Sequence, residues 1–223
     1  MTPAVLVMAK APVPGEVKTR LGADIGAEAA AEIAAAAVLD TLDVCRAVFD
    51  DCHLALAGDL ARAVQRQALL AALAGWTVHP QRGEGFAARL VHAHADVARA
   101  TAAPVVQIGM DTPHLRPDHL RDVAALVGRG NDAVLGPAED GGWWVLAVTH
   151  PRLAEPLAGV EMSTERTCDD TLAALRRAGA TVAGAAVLRD VDTVGDADLA
   201  AAAAPDTRFA RLWAQHRDLV PRP

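Results

Sequence analysis

Lys10 and Lys18 are the only lysines in a chain whose other strong cations are all arginine. They flank a loop holding Pro12, Pro14 and Gly15, and Arg20 follows two residues after Lys18. A compact ammonium and a planar guanidinium are not interchangeable, so two lysines at one loop suggest a requirement for a point charge. Lys18 and Arg20, with backbone N–H groups beside Gly15, suit a diphosphate or triphosphate. Acidic groups gather in three further loops. Asp111 stands between Gly109 and Pro113, placed for a hard cation such as Mg2+, or for an Asx turn. Glu139 and Asp140 precede Gly141, Gly142, Trp143 and Trp144, a pattern for close approach to a ligand or for a plain hairpin. Asp190 and Asp192 share a side by alternation, and Asp192 is the stronger candidate to complete a metal site begun by Asp111. Its structural alternative is a cap for a helix starting near Asp196. The paired tryptophans point to opposite faces of a strand, one into the core and one toward a pocket.

Each of these loops follows or borders a predicted strand. Apolar runs at Ala4 to Ala9, His53 to Ala57, Val105 to Gly109, Asp132 to Gly136 and Trp143 to Val148 read as strands. Shorter ones are expected at Trp76 to Val78 and Thr181 to Leu188. Helical spacing predicts helices over Gly26 to Asp51, Leu60 to Ala74, Ala87 to Ala100 and Pro117 to Val127. Another is expected over Thr164 to Ala178, with Ser163 as its N-cap, and closing helices within Asp196 to His216. Alternating strands and helices predict an α/β fold, three layers of α/β/α around a mostly parallel, mixed sheet. No linker or repeat interrupts it, so one domain is expected over residues 1–223.

Composition excludes several classes. At 223 residues and a net charge of −7, the chain is long enough for a sizeable core and too acidic for a general nucleic-acid binder. No apolar run is long enough to span a bilayer, and no apolar leader follows Lys10, so a cytoplasmic protein is expected. Cys45, Cys52 and Cys168 lack zinc or disulfide spacing and read as free thiols. Oligomerisation is left open.

The four loops together resemble a known pattern. Ala9 to Leu21, Gly109 to Pro113, Gly136 to Gly142, Met162 to Thr164 with Thr171, and Asp190 to Thr193 with Asp198-Leu199 are similar to the DUF2064 family. That family is described as rSAM/selenodomain-associated transferase 1 and often labelled glycosyltransferase, within the nucleotide-diphospho-sugar transferase (GT-A) superfamily. Trp143-Trp144 stands where the family often has Tyr-Tyr, and Met110-Asp111-Thr112 where it often has Ser-Asp-Cys. The resemblance implies a Rossmann-like GT-A fold and a nucleotide or nucleotide-sugar donor with an unidentified small-molecule acceptor. It implies Mg2+ (or Mn2+) held by Asp111 and Asp192, and nucleotide contacts from Lys10, Pro14, Gly15, Lys18, Arg20, Gly85 and Arg89. Glu139, Gly141, Gly142, Trp143, Trp144, Ser163 and Thr164 would form the acceptor pocket. Lys18, Arg20, Asp111 and Asp140 would act in catalysis, with either Asp140 or Glu139 as general base. Nucleotidyl transfer with pyrophosphate release is expected ahead of glycosyl transfer, because 2-phospholactate guanylyltransferases share the Lys-Thr/Ser-Arg-Leu loop and the Asp-Val-Asp-Thr turn. A catalytically silent nucleotide-binding subunit is the third reading.

Overall fold

Residues 4–9 are buried on both faces of a strand, as the centre of a covered sheet requires. In the computed structural model, which describes residues 2–217, that strand is β1 (Ala4–Lys10), paired in parallel with β2 (Cys52–Ala57) and β4 (Val105–Gly109). With β3 (Thr77–Pro80), β5 (Ala133–Pro137), β6 (Trp143–Val148) and β7 (Val182–Gly184) they form one sheet in the order β3-β2-β1-β4-β6-β5-β7. β6 runs antiparallel to both β4 and β5, and the remaining pairs are parallel. The fold is therefore the expected mixed, mostly parallel α/β arrangement.

Alternation along the strands divides the core between two faces. Val5, Val7, Val106, Ile108 and Val134 pack with α2 (Ala27–Arg46), α3 (Arg66–Ala72) and α5 (Pro117–Leu126). Leu6, Met8, Val105, Leu135 and Leu146 pack with α4 (Gly85–Ala100), α6 (Thr167–Arg177) and a 3-10 segment at Pro151–Gly159. The alanine-rich α2 has structure on both sides. Ala31 and Ala34 meet the sheet, while Ala30, Ile33 and Ala37 meet α1 (Thr19–Ile25), α7 (Val194–Ala203) and α8 (Arg208–His216). Small side chains let the helix approach both layers closely.

Several elements differ from expectation. Thr19–Ile25 is helical although no helix is predicted there; seven residues with Gly22 inside are too few for a periodic signal. Isolated, so short a helix is unstable. Here Leu21 and Ile25 are buried, each contributing about 1.5–3 kcal/mol if fully removed from water, and they anchor the segment beside the Lys18 loop. The predicted helix over Leu60 to Ala74 divides into a 3-10 turn at Leu60–Arg62 and α3, because Gln65 takes φ 51 between them. α6 starts at Thr167 rather than Thr164. Ser163 sits at φ 63, and Thr167 Oγ1 accepts from the Thr164 N–H at 3.0 Å, so a side-chain turn replaces the expected N-cap. β7 is limited to three residues of the predicted Thr181 to Leu188. Thr193, with Asp196 in a reciprocal capping box, starts α7.

Candidate functional site

The loop after β1 turns at Gly15, whose φ of 76 favours glycine, and ends at Lys18, a non-glycine residue at φ 45. A lysine in the left-handed region costs about 1 kcal/mol, so the surrounding contacts must hold it there. They are ionic. Lys18 Nζ lies 2.5 Å from Asp111 Oδ1 and 3.2 Å from Asp192 Oδ1, and donates to the Val191 carbonyl. Arg20 Nη1 lies 3.1 Å from the other Asp192 oxygen. The Lys18 side chain is only 7% exposed, while Asp111 and Asp192 are about 40% open to solvent. Burial disfavours the ammonium, but Asp111 and Asp192 more than offset it and raise its pKa above the ordinary lysine value.

The loops bearing those carboxylates are fastened together. The Val191 N–H donates to the Asp111 carbonyl at 2.9 Å, joining the end of β4 to the segment after β7. Asp190, one residue earlier, is half-buried. Its carboxyl is pushed up to about 6, first by burial and then by Asp140 and Asp192. Asp140 Oδ1 accepts from the Gly142 N–H at 2.8 Å, and the Gly142 carbonyl accepts from the Ala138 N–H at 2.9 Å, closing a tight turn. A Cβ at Gly141 would stand 2.2 Å from the Glu165 carbonyl oxygen, so glycine is required there by the close approach of backbone.

Two cavities meet at this ion cluster. A smaller one of about 260 Å³ is lined by Lys10, Glu16, Lys18, Arg20, Asp111 and Asp192 among others. A larger one of about 520 Å³ shares Arg20, Asp111 and Asp192, and adds Asp140, Gly142, Trp143, Trp144, Ser163 and Thr164. Most expected residues therefore converge. Trp144 is buried against the α2/α5 face, its indole N–H donating to the Ala186 carbonyl at 2.8 Å, while Trp143 is half-buried and donates to Thr171 Oγ1 at 3.2 Å. That is the predicted division of the pair.

Others do not converge. Pro14, Gly15, Gly85, Arg89, Glu139 and Gly141 line neither cavity. Arg89 turns back to the Gly83 carbonyl, and Glu139 is paired with Arg189, which also holds Asp196 at 3.0 Å. Lys10 Nζ donates to the Glu16 carbonyl at 2.7 Å within its own loop. Residues not anticipated include Gln107 and Thr112. Gln107 was visible in principle, as the one polar side chain in the strand Val105–Gly109.

Among the described residues, no group of three or more His, Cys, Asp or Glu is arranged to hold a metal ion. Asp111 and Asp192 offer two hard oxygen donors at neighbouring loop ends, now bridged by the Lys18 ammonium. A carboxylate pair fits Mg2+, which commonly takes one or two carboxylates and completes its shell with water and substrate phosphates.

Comparison with known proteins agrees with this architecture. A crystal structure at 1.90 Å, provisionally named a nucleotide-diphospho-sugar transferase from Desulfovibrio desulfuricans G20, is 25% identical, with a TM-score of 0.85 over 98% of this chain and 97% of that one. A cytidylyltransferase from Leptospira borgpetersenii serovar Hardjo-bovis is 11% identical, with a TM-score of 0.58 over 100% and 98% of the two chains. CMP:2-keto-3-deoxy-manno-octonic acid synthetase, solved with CTP, is 14% identical, with a TM-score of 0.54 over 92% and 100%. The last two likenesses concern the fold alone. No curated protein matches the sequence. The profile of a family described as uncharacterized protein conserved in bacteria matches residues 41–164, more than half of the chain. The protein belongs to that family, DUF2064.

Proposed function

We propose that the protein is a metal-dependent transferase with a nucleotide donor, and that nucleotidyl transfer is its reaction. The observation that carries this reading is the buried Lys18 ammonium between Asp111 and Asp192, at the seam where the two cavities meet. The smaller cavity has the size and cations for a chain of phosphates, and the larger one accommodates a second substrate. Lys18 and Arg20 would turn from carboxylate to phosphate oxygens as the donor binds, exchanging one set of anionic partners for another.

In this mechanism an acceptor oxygen in the larger cavity forms a bond to the α-phosphorus. The bond from that phosphorus to its bridging oxygen breaks, and pyrophosphate leaves with the electron pair, its charge met by Lys18 and Arg20. Asp140, which lines the larger cavity, is the better placed of the two candidate bases to take the acceptor proton, since Glu139 is paired with Arg189 outside it. Mg2+ or Mn2+ held by Asp111 and Asp192 would supply charge neutralisation for the phosphates. The remaining contribution is positioning, since two substrates held in line avoid most of the entropic cost of meeting in solution.

Glycosyl transfer is the second reading. It is favoured by the name of the Desulfovibrio relative and by Trp143 in the larger cavity, an aromatic wall suited to a sugar ring. Thermal unfolding with Mg2+ and a panel of nucleoside triphosphates and nucleotide sugars separates the two. A triphosphate is expected to raise the melting temperature most. A clear shift from a nucleotide sugar, with none from any triphosphate, would overturn nucleotidyl transfer.

A further inference from the structure

The segment after β7 carries a side chain that the reaction above does not use. Arg189 lines neither cavity, yet its two terminal nitrogens hold carboxylates from two different loops. Nη1 lies 3.0 Å from Asp196 Oδ1, and Nη2 is paired with Glu139 Oε2. Asp196 passes the contact on. Its other oxygen accepts from the Asp192 N–H at 3.3 Å, the Thr193 N–H at 2.9 Å and the Thr193 hydroxyl at 2.7 Å. The carboxylate that Arg189 grips therefore also fixes the backbone of Asp192.

Glu139 carries the contact the other way. Its N–H donates to the Leu188 carbonyl at 3.0 Å, and the Leu188 N–H donates to the Pro137 carbonyl at 3.1 Å, so the two segments run side by side. Along both, neighbouring residues take opposite sides: Glu139 and Arg189 stay outside the larger cavity, while Asp140 and Asp190 line it. Two like charges presented together on one side push the segments apart, and the Glu139–Arg189 pair opposes that from behind. We infer that Arg189 is a positioning residue of the transferase: through Asp196 it sets where the Asp192 carboxylate stands, and through Glu139 it ties that carboxylate to the turn bearing Asp140. A planar guanidinium can span two anions on separate segments, which the point charge of a lysine reproduces only in part. This assignment rests on Asp192 being a metal ligand of a nucleotide-dependent transferase.

The test is calorimetric titration of a nucleoside triphosphate at a series of Mg2+ concentrations, for the wild type, Arg189→Gln, Arg189→Lys and Glu139→Gln. Arg189→Gln is expected to raise the Mg2+ concentration for half-maximal triphosphate binding by about 10–100-fold, the usual effect of losing a partner that orients a metal ligand. Saturating Mg2+ should restore most of the affinity. Arg189→Lys should recover part of the loss, and Glu139→Gln, which removes one anchor of two, should shift less than Arg189→Gln. A role in stability alone would lower the melting temperature and leave the Mg2+ requirement where it was. Arg121→Gln, which breaks the 2.7 Å pair with Asp118 on α5, is the control and should shift nothing. Amide hydrogen exchange in the free protein reads the same link without nucleotide, and the Asp192 and Thr193 amides should exchange about tenfold faster in Arg189→Gln. Should that variant fail to fold, Arg189→Lys carries both measurements. An unchanged Mg2+ requirement, or unchanged exchange at both amides, would overturn the inference. Faster exchange beside a wild type that binds no triphosphate at any Mg2+ concentration would support the hold of Arg189 on Asp192 and count against the metal-bound donor instead.

Discussion

Lys18→Met is expected to lower turnover by about 10²–10³-fold while the protein stays folded. Methionine keeps the length of the buried stem but removes the charge that would neutralise developing negative charge on the phosphates, an interaction worth that factor where single preorganised donors have been deleted. The variant also leaves Asp111 and Asp192 without their shared cation. Breaking a fully buried pair costs about 3–5 kcal/mol, but these carboxylates are about 40% exposed, so screening reduces the expected loss to about 1–2 kcal/mol. The pH dependence has a definite sign. Because the folded-state pKa of Lys18 is raised above 10.5, its pairing stabilises the fold fully below that value and is lost as pH rises through the folded value. Urea unfolding at about pH 8 should therefore separate variant from wild type, and the gap should narrow at about pH 11. A variant equal to wild type in rate would remove Lys18 from the chemistry.

Gly141→Ala is expected to cost about 3 kcal/mol or more, or about 6–12 °C in melting temperature for a chain of this size. Alanine would need φ +89, and its Cβ would lie 2.2 Å from the Glu165 carbonyl oxygen and 2.5 Å from two further backbone atoms of that residue. Backbone has nowhere to go, because the Gly141 carbonyl accepts from the Cys168 N–H at 2.8 Å and fixes the same two loops. Moving them apart would also displace Asp140 and Ser163 from the larger cavity. Gly142→Ala is the control. Its Cβ would meet the Asp140 side chain at 3.0 Å, which a rotamer shift relieves, so a loss under about 1 kcal/mol is expected. Equal losses in the two variants, read from thermal unfolding, would show that the approach to Glu165 is not what constrains the turn.

Much of the site was legible because residue type and strand ends coincide. An apolar run that stops at Gly, Pro and a charge marks the carboxyl end of a buried strand, and Lys18, Arg20, Asp111, Asp140 and Asp192 all follow from that reading. What joins them was not legible. That Lys18 should stand between Asp111 and Asp192 depends on β4 lying beside β1 and on the Val191–Asp111 backbone bond, both set by contacts between residues distant in sequence. The antiparallel insertion of β6 between β4 and β5 was hidden for a related reason, since an apolar run carries no direction. Ser163 misled because a serine before a periodic segment satisfies the N-cap rule, whereas Thr164 and Thr167 use their own hydroxyls to delay the helix. The backbone approach at Gly141 was not legible, because close approach to a ligand and close approach to backbone leave the same mark in a sequence.

The most direct measurement of the central claim is the calorimetric affinity of a nucleoside triphosphate with Mg2+ and with EDTA, for the wild type and Asp111→Asn. Binding to the wild type is expected to require the metal, and Asp111→Asn should weaken metal-dependent binding at least tenfold, with only a modest fall in the melting temperature of the free protein from the lost pairing with Lys18. Triphosphate binding of equal strength in EDTA, or unchanged in Asp111→Asn, would contradict a metal-bound nucleotide at the seam of the two cavities.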